Sequence, residues 1–236
     1  AHTPQGSGGS VVASVIGASR PISWVNTAYP FAAAYLMSGG GITATFVVGT
    51  LYFLIPYNLL MYGINDVFDY ESDLANPRKG GIEGGLVAPE RARAVHRRIL
   101  WACLLTTVPF VVWLLALGSP LAGVVLLVVL LDVVAYSAPR LRFKERPVLD
   151  SLSSSVHFVG PLLYALVLAG ADLTARTTWP VLVAFLLWGM ASHAFGAVQD
   201  VQADRAGGIG SVATVLGARP TVLAATGAYV LAALLL

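Results

Sequence analysis

Residues 120–138 read PLAGVVLLVVLLDVVAYSA, an apolar run interrupted by one carboxylate, Asp132. Its length matches the roughly 20 residues that carry a helix across a ~30 Å hydrocarbon core. Six more apolar runs surround it, at 21–37, 43–64, 99–117, 152–170, 179–198 and 220–236. None alternates polar and apolar residues, so they read as helices and not as the strands of a membrane barrel. Of 236 residues, 57% are hydrophobic and 11% charged, and the mean hydropathy is +0.77. Soluble domains carry about 25% charged residues, so this chain lacks the polar surface that an ordinary soluble enzyme needs. The single cysteine, Cys103, cannot form an internal disulfide. The expected class is an all-α, polytopic transmembrane helical bundle around a central cavity, with seven spans. Residues 1–19 are expected as a polar, disordered N-terminal segment and 20–236 as one transmembrane domain. The sequence ends in the apolar LAALLL, which raises the expectation of further helices beyond it.

The charges are strongly sided. With alternating spans, every Lys and Arg except Arg176 falls on the side of the N-terminus. Cytoplasmic loops carry such an excess, so the N-terminus and this face are expected in the cytoplasm. The acids follow the same side, apart from Asp172 outside and Asp132 within a span. The positive-inside rule does not account for that, and a face dense in both signs points to a site. Nothing in the pattern points to nucleic acid.

Two acidic clusters stand out on that face. The first is NDVFDYESD at residues 65–73, where the second span leaves the membrane. If the helix continues, Asp66, Asp69 and Asp73 share one face, because residues three and four apart are neighbours. Their mutual repulsion needs compensation, and a hard divalent cation supplies it. Mg²⁺ prefers oxygen ligands, keeps several waters and shares its shell with substrate phosphates. The second cluster, Asp200 and Asp204 of DVQAD, has i, i+4 spacing at the end of the sixth span. Two such helix ends at one depth suit two or more Mg²⁺ ions around one diphosphate. Basic residues surround them: Arg20, then Arg78 and Lys79, then Arg140, Arg142 and Lys144. Such cations can bind the phosphate oxygens that a metal leaves free.

The stretch NDVFDYESD followed by NPRKGG, together with DVQAD followed by RAGGIGSVATVLG, resembles the UbiA-type intramembrane prenyltransferase superfamily. Arg20-Pro21 and Tyr136-Ser137 before Pro139 match as well, and the wording of residues 65–85 is closest to the lycopene elongase branch of C50 carotenoid synthesis. The resemblance implies an all-helical bundle, usually of nine spans, whose mouth binds an allylic prenyl diphosphate through Mg²⁺. It implies that Asn65, Asp66, Asp69, Asp73, Asp200 and Asp204 hold the metal–diphosphate, with Arg20, Arg78 and Lys79 on the phosphates. Which of Arg140, Arg142 and Lys144 fills the basic position after the tyrosine stays open. The acceptor implied is a carotenoid such as lycopene, the donor dimethylallyl diphosphate, and the setting the lipid bilayer of a bacterial or archaeal cell membrane.

The chemistry follows from the residue types. Cations at the diphosphate neutralise the leaving group and favour ionisation of the allylic C–O bond, and the cavity must then exclude water. Aromatic faces such as Tyr57, Phe68, Tyr70 and Tyr136 suit a carbocation, although packing is their commoner role. Asp132 is a carboxylate deep in an apolar span, a functional hypothesis by default, four residues before Tyr136. It is expected to accept the final proton or to steady the cation, which makes Asp132, Tyr136, Asp69 and Asp200 the catalytic candidates. His157 and His193 read as interhelical hydrogen-bond partners. Two alternatives remain: the same transfer to a quinone precursor, a chlorophyllide or a glycerol-phosphate ether, and a membrane cation transporter. Absence of Lys or Arg inside the spans favours an apolar acceptor. The rim position of the acids disfavours transport, whose sites lie near the midplane.

Overall fold

The computed structural model describes residues 11–75 and 87–236. In chain order the α-helices are α1 (Val11–Ala18), α2 (Trp24–Met37), α3 (Ala44–Leu54), α4 (Pro56–Phe68), α5 (Tyr70–Ala75) and α6 (Pro89–Leu117). They continue with α7 (Pro120–Ser137), α8 (Leu149–Leu168), α9 (Thr178–Gly207), α10 (Val212–Leu216) and α11 (Ala218–Leu235). The described residues contain no strand. Several starts are written locally. Pro56, Pro89 and Pro120 open α4, α6 and α7, where the missing N–H costs nothing. Thr43 and Ser119 cap α3 and α7 through their hydroxyl oxygens.

Six described helical stretches are long and apolar enough to cross a membrane: 44–68, 89–117, 120–137, 149–168, 178–205 and 218–235. They correspond to six of the seven expected spans. The seventh, 21–37, is helical throughout but opens with a short 3-10 turn at Pro21–Ser23 before the 14-residue α2, about 21 Å of α-helical rise. The expected disordered segment 1–19 is corrected over its second half. There VVASVIGA forms α1, and Val15 and Ala18 pack with Leu59, Val95 and Cys103.

Helix α8 packs against α2, α7 and α9, and α11 covers α9. The close approach of α8 and α9 depends on small residues, as in membrane bundles generally. A Cβ at Gly189 would lie 2.2 Å from Ser155 Oγ, and that hydroxyl donates to the Leu186 carbonyl at 2.7 Å. One end of the bundle, called the rim below, collects the starts of α2 and α8 and the ends of α4 and α9. The half away from it is filled by stacked and edge-on rings, among them Phe31, Tyr35, Tyr52, Phe53, Phe110 and Tyr164.

The span 44–68 breaks at Ile55-Pro56, where proline cannot continue the ladder. Carbonyls freed inside an apolar bundle need new donors. The buried Asn58 amide donates to Phe53 O at 2.9 Å and Leu54 O at 3.0 Å. Its third contact is Thr27 Oγ1 at 2.7 Å, and that hydroxyl donates in turn to Phe53 O at 2.6 Å. We expect Asn58→Leu, which keeps volume and removes the donors, to destabilise the fold by about 1–2 kcal/mol. A lowered unfolding midpoint in detergent micelles is the check.

Candidate active site at the rim

The first acidic motif straddles a joint. Helix α4 ends at Phe68 and α5 begins at Tyr70, yet Asp69 N still bonds Asn65 O at 2.9 Å and Asp73 N bonds Asp69 O at 2.8 Å. The helical path is therefore nearly unbroken, and the expected one-face arrangement of Asp66, Asp69 and Asp73 is kept. Arg20 Nη2 donates to Asp66 Oδ1 at 2.7 Å, and its guanidinium lies over the Tyr62 ring at 4.8 Å. Asn65 Oδ1 accepts from Ser137 Oγ at 3.0 Å, which joins α4 to the end of α7.

The loop after α7 brings two of its cations to Asp69. Lys144 Nζ pairs closely with Asp69 Oδ2, and Arg142 Nη2 lies 3.5 Å from Asp69 Oδ1 while also pairing with Glu145. Arg140 is exposed. Arg20, Arg140 and Arg142 have positive φ, at 50°, 75° and 40°. Non-glycine residues in that region are strained, and such strain clusters at functional sites. Burial, the largest influence, raises the Asp69 carboxyl above its ordinary range. Lys144 opposes that, Asp73 adds to it, and Arg142 opposes it more weakly.

The second motif lies on one uninterrupted helix. Asp200 and Asp204 are within α9, which ends at Gly208 in the left-handed conformation, φ 67°. Ser211 Oγ, the cap of α10, donates to Asp204 Oδ2 at 3.3 Å. Lys144 is close enough to Asp204 to act on it electrostatically, as it acts on Asp69. Lys144 thus pairs with one motif and lies within electrostatic reach of the other, at one end of the bundle. Arg78 and Lys79 lie outside the described residues.

Among the described residues, no three acidic, His or Cys side chains are gathered into a cage for a metal ion. Mg²⁺ does not require one, since it takes one or two carboxylates and completes its shell with water and phosphate. The donors at the rim are all carboxylate or amide oxygens, the chemistry a hard cation selects, so the residues fit Mg²⁺ held jointly with a diphosphate.

Asp132 accepts from Ser153 Oγ at 2.8 Å and faces His157 Nε2 at 3.5 Å. Tyr136 sets its ring edge-on to His157, with centroids 4.9 Å apart. Residues of α2, α8 and α9 line a half-open pocket of about 390 Å³, with Asn26, Tyr29, Ser154, Phe158, Trp188 and His193 among its walls. Asp132 is not among its lining residues. Sequence reasoning passed over Asp150 and read His193 only as an interhelical hydrogen-bond partner. Asp150 is fully buried, and its Oδ2 is 3.8 Å from His193 Nε2. An acid in the first turn of a span was the available signal for Asp150.

Comparison with known proteins agrees with this architecture. Residues 27–236 match the UbiA prenyltransferase family. The chain belongs to that family. It is 56% identical over 218 residues to the C(50) beta-cyclic carotenoids biosynthesis protein LbtBC of Dietzia sp. (strain CQ4), covering 92% of this chain and 49% of that protein. It is 52% identical over 217 residues to a lycopene elongase/hydratase of Corynebacterium glutamicum, covering 92% of this chain and 74% of that one. The chain thus spans about half the length of the Dietzia relative and about three quarters of the Corynebacterium one. A UbiA homolog from Archaeoglobus fulgidus, solved bound to DMAPP and Mg²⁺, superposes with a TM-score of 0.75 at 20% identity, over 94% of this chain and 76% of that one. That likeness establishes the shared fold.

Removing Lys144 removes the main downward pull on Asp69. The carboxyl pKa then rises further, so on acidification its charge is lost at higher pH than in the wild type. We expect Lys144→Gln to weaken binding of Mg²⁺-diphosphate about tenfold, equivalent to about 1.4 kcal/mol. Its acid limb should move to higher pH, as read by binding titrations across pH.

Proposed function

We propose that this chain is a Mg²⁺-dependent membrane prenyltransferase. It moves the prenyl group of an allylic diphosphate, dimethylallyl diphosphate in this reading, onto lycopene or a related carotenoid. The observation that carries the reading is Lys144, paired with Asp69 of one acidic motif and within electrostatic reach of Asp204 of the other. Carboxylates of α4 and α9 and cations from two loops collect at one end of the bundle, which suits a metal-bound diphosphate. Relatives bearing the lycopene elongase/hydratase name at 52% identity support the acceptor.

In this reading Asp66, Asp69, Asp73, Asp200 and Asp204, with Asn65, hold the metal–diphosphate. Arg20, Arg142 and Lys144 bind phosphate oxygens, and Arg78 and Lys79 join them from the adjoining loop. Bound Mg²⁺ supplies charge neutralisation at the leaving group. The allylic C–O bond breaks with its electron pair going to the diphosphate, and an alkene terminus of the acceptor attacks the allylic carbon. Aromatic side chains, Tyr29, Phe158 and Trp188 among them, line the pocket and offer π density to the cation. Asp132, held by Ser153, steadies the charge through its field across Tyr136 and His157. The rim faces the cytoplasm, consistent with the one-sided Lys and Arg count.

Expression of the intact gene in a lycopene-producing host tests the assignment. We expect prenylated carotenoids in the pigment extract, and their loss when isolated membranes are assayed with a divalent-metal chelator. An unchanged pigment profile would sink the carotenoid reading. Asp132→Asn should lower turnover about tenfold, about 1.4 kcal/mol of barrier, while diphosphate binding stays as in the wild type; both are read in the same membranes.

A further inference from the structure

The diphosphate site makes no use of His193 or Asp150, although they form a second polar group built into the same helices. His193 lies on α9, seven residues before Asp200 and eleven before Asp204. At 3.6 residues per turn the three fall within about 40° of one another on one helix face. His193 is then about 10 Å deeper in the bundle than Asp200. A dimethylallyl group hanging from a diphosphate at the rim reaches inward along this face. His193 forms part of the wall of the cavity at that depth, beside Ser154, Phe158 and Trp188.

Asp150 stands behind the imidazole. Its Oδ2 accepts from Val212 N at 2.8 Å and lies 3.8 Å from His193 Nε2, while its Oδ1 accepts from Ser151 N at 2.7 Å. The carboxylate is thus oriented by amides of α8 and α10 and keeps one edge towards the ring. The turn that delivers it holds Val148 at φ 73°, a conformation that a β-branched residue adopts only under constraint. Fixing α10 to α8 would account for the two amide bonds. It does not account for an imidazole placed between that carboxylate and an otherwise mainly apolar cavity.

We propose that His193 is the base that ends the reaction, with Asp150 as its positioning residue; this rests on the prenyl-transfer reading above. Once the alkene of the acceptor has formed its C–C bond to the allylic carbon, a tertiary carbocation remains on the acceptor. The imidazole takes a proton from the neighbouring carbon. The C–H electron pair becomes a C=C bond, and Asp150 compensates the imidazolium charge as it forms, the role a buried aspartate plays behind a catalytic histidine. Without that base the cation is captured by water, which adds through oxygen, loses a proton to solvent and leaves an alcohol.

The test is the ratio of alkene to alcohol product, measured by chromatography and mass spectrometry in membranes carrying the full natural chain, with dimethylallyl diphosphate and lycopene. His193→Gln keeps a polar side chain of similar size and has no basic nitrogen. We expect its alkene product to fall on the order of 100-fold, its diphosphate release to fall far less, and the alcohol share to rise. Asp150→Asn should shift the ratio the same way by about tenfold, a smaller general-base deficit. The ratio is taken within one sample, so it does not depend on how much of a variant folds. An unchanged ratio in His193→Gln, or alkene and diphosphate release falling in parallel in both variants, overturns the assignment of His193. A wild-type sample that makes neither product overturns the prenyl-transfer reading itself, and this assignment with it.

Discussion

Carboxylates at the mouth of an apolar bundle repel one another more strongly than in water, because little solvent screens them. Everything at the rim follows from how that repulsion is relieved. Lys144 reaches Asp69 and acts on Asp204, Arg142 shares Asp69, and Arg20 takes Asp66. The cost appears in the backbone. Arg142 and Val148 carry positive φ within one short connection, where the loop between α7 and α8 sends Arg142 and Lys144 to Asp69 and delivers Asp150 at its far end; the exposed Arg140 shares that conformation. Arg20 is bent in the same way at the start of the first apolar run. The cations Arg20, Arg142 and Lys144 are thus set by connections between helices, whereas Asp66, Asp200 and Asp204 are set by helices.

Much of this was legible from residue order. The apolar runs located the spans, and the i, i+3 and i, i+4 spacing of Asp66, Asp69, Asp73, Asp200 and Asp204 placed them on two helix faces. Those are properties of a single helix, which sequence reports directly. Properties that depend on a neighbouring helix were not legible. Arg140, Arg142 and Lys144 alternate along a loop, and an arginine carries no mark of a left-handed backbone, so nothing separated the exposed residue from the two that reach Asp69. The first apolar run gives no sign that its opening residues, Pro21–Ser23, form a 3-10 turn before α2. The apolar α1 was overlooked because the polar residues preceding it coloured the whole segment.

Asn58 and Asp150 show the same limit from inside the membrane. Each is a buried polar side chain whose purpose is defined by something far along the sequence. Asn58 answers carbonyls freed by a proline break and the hydroxyl of Thr27 on another helix. Asp150 answers an amide 62 residues away and an imidazole on α9. In a bilayer such groups are retained only where partners meet them. Burial of polarity in a span is thus a sound signal that something is satisfied there, while the identity of the partner needs the fold.

The division of the bundle into two halves bears on the chemistry. Rings of Phe31, Tyr52, Phe53 and Tyr164 pack the half away from the rim, and the open volume lies among residues of α2, α8 and α9 nearer the carboxylates. A carbocation is short-lived, so the place where it is made and the place where it is discharged must be close and held at fixed spacing. Helix α9 is continuous from Thr178 to Gly207, and it carries Asp204, Asp200 and His193 on one face. In the proposed reaction, a single rigid rod of backbone hydrogen bonds sets the distance between leaving-group binding and proton removal. A loop or a joint, such as the one at Asp69, could not hold that distance as tightly. The acidic motif that can tolerate a joint lies on α4 and α5, where only the diphosphate must be held.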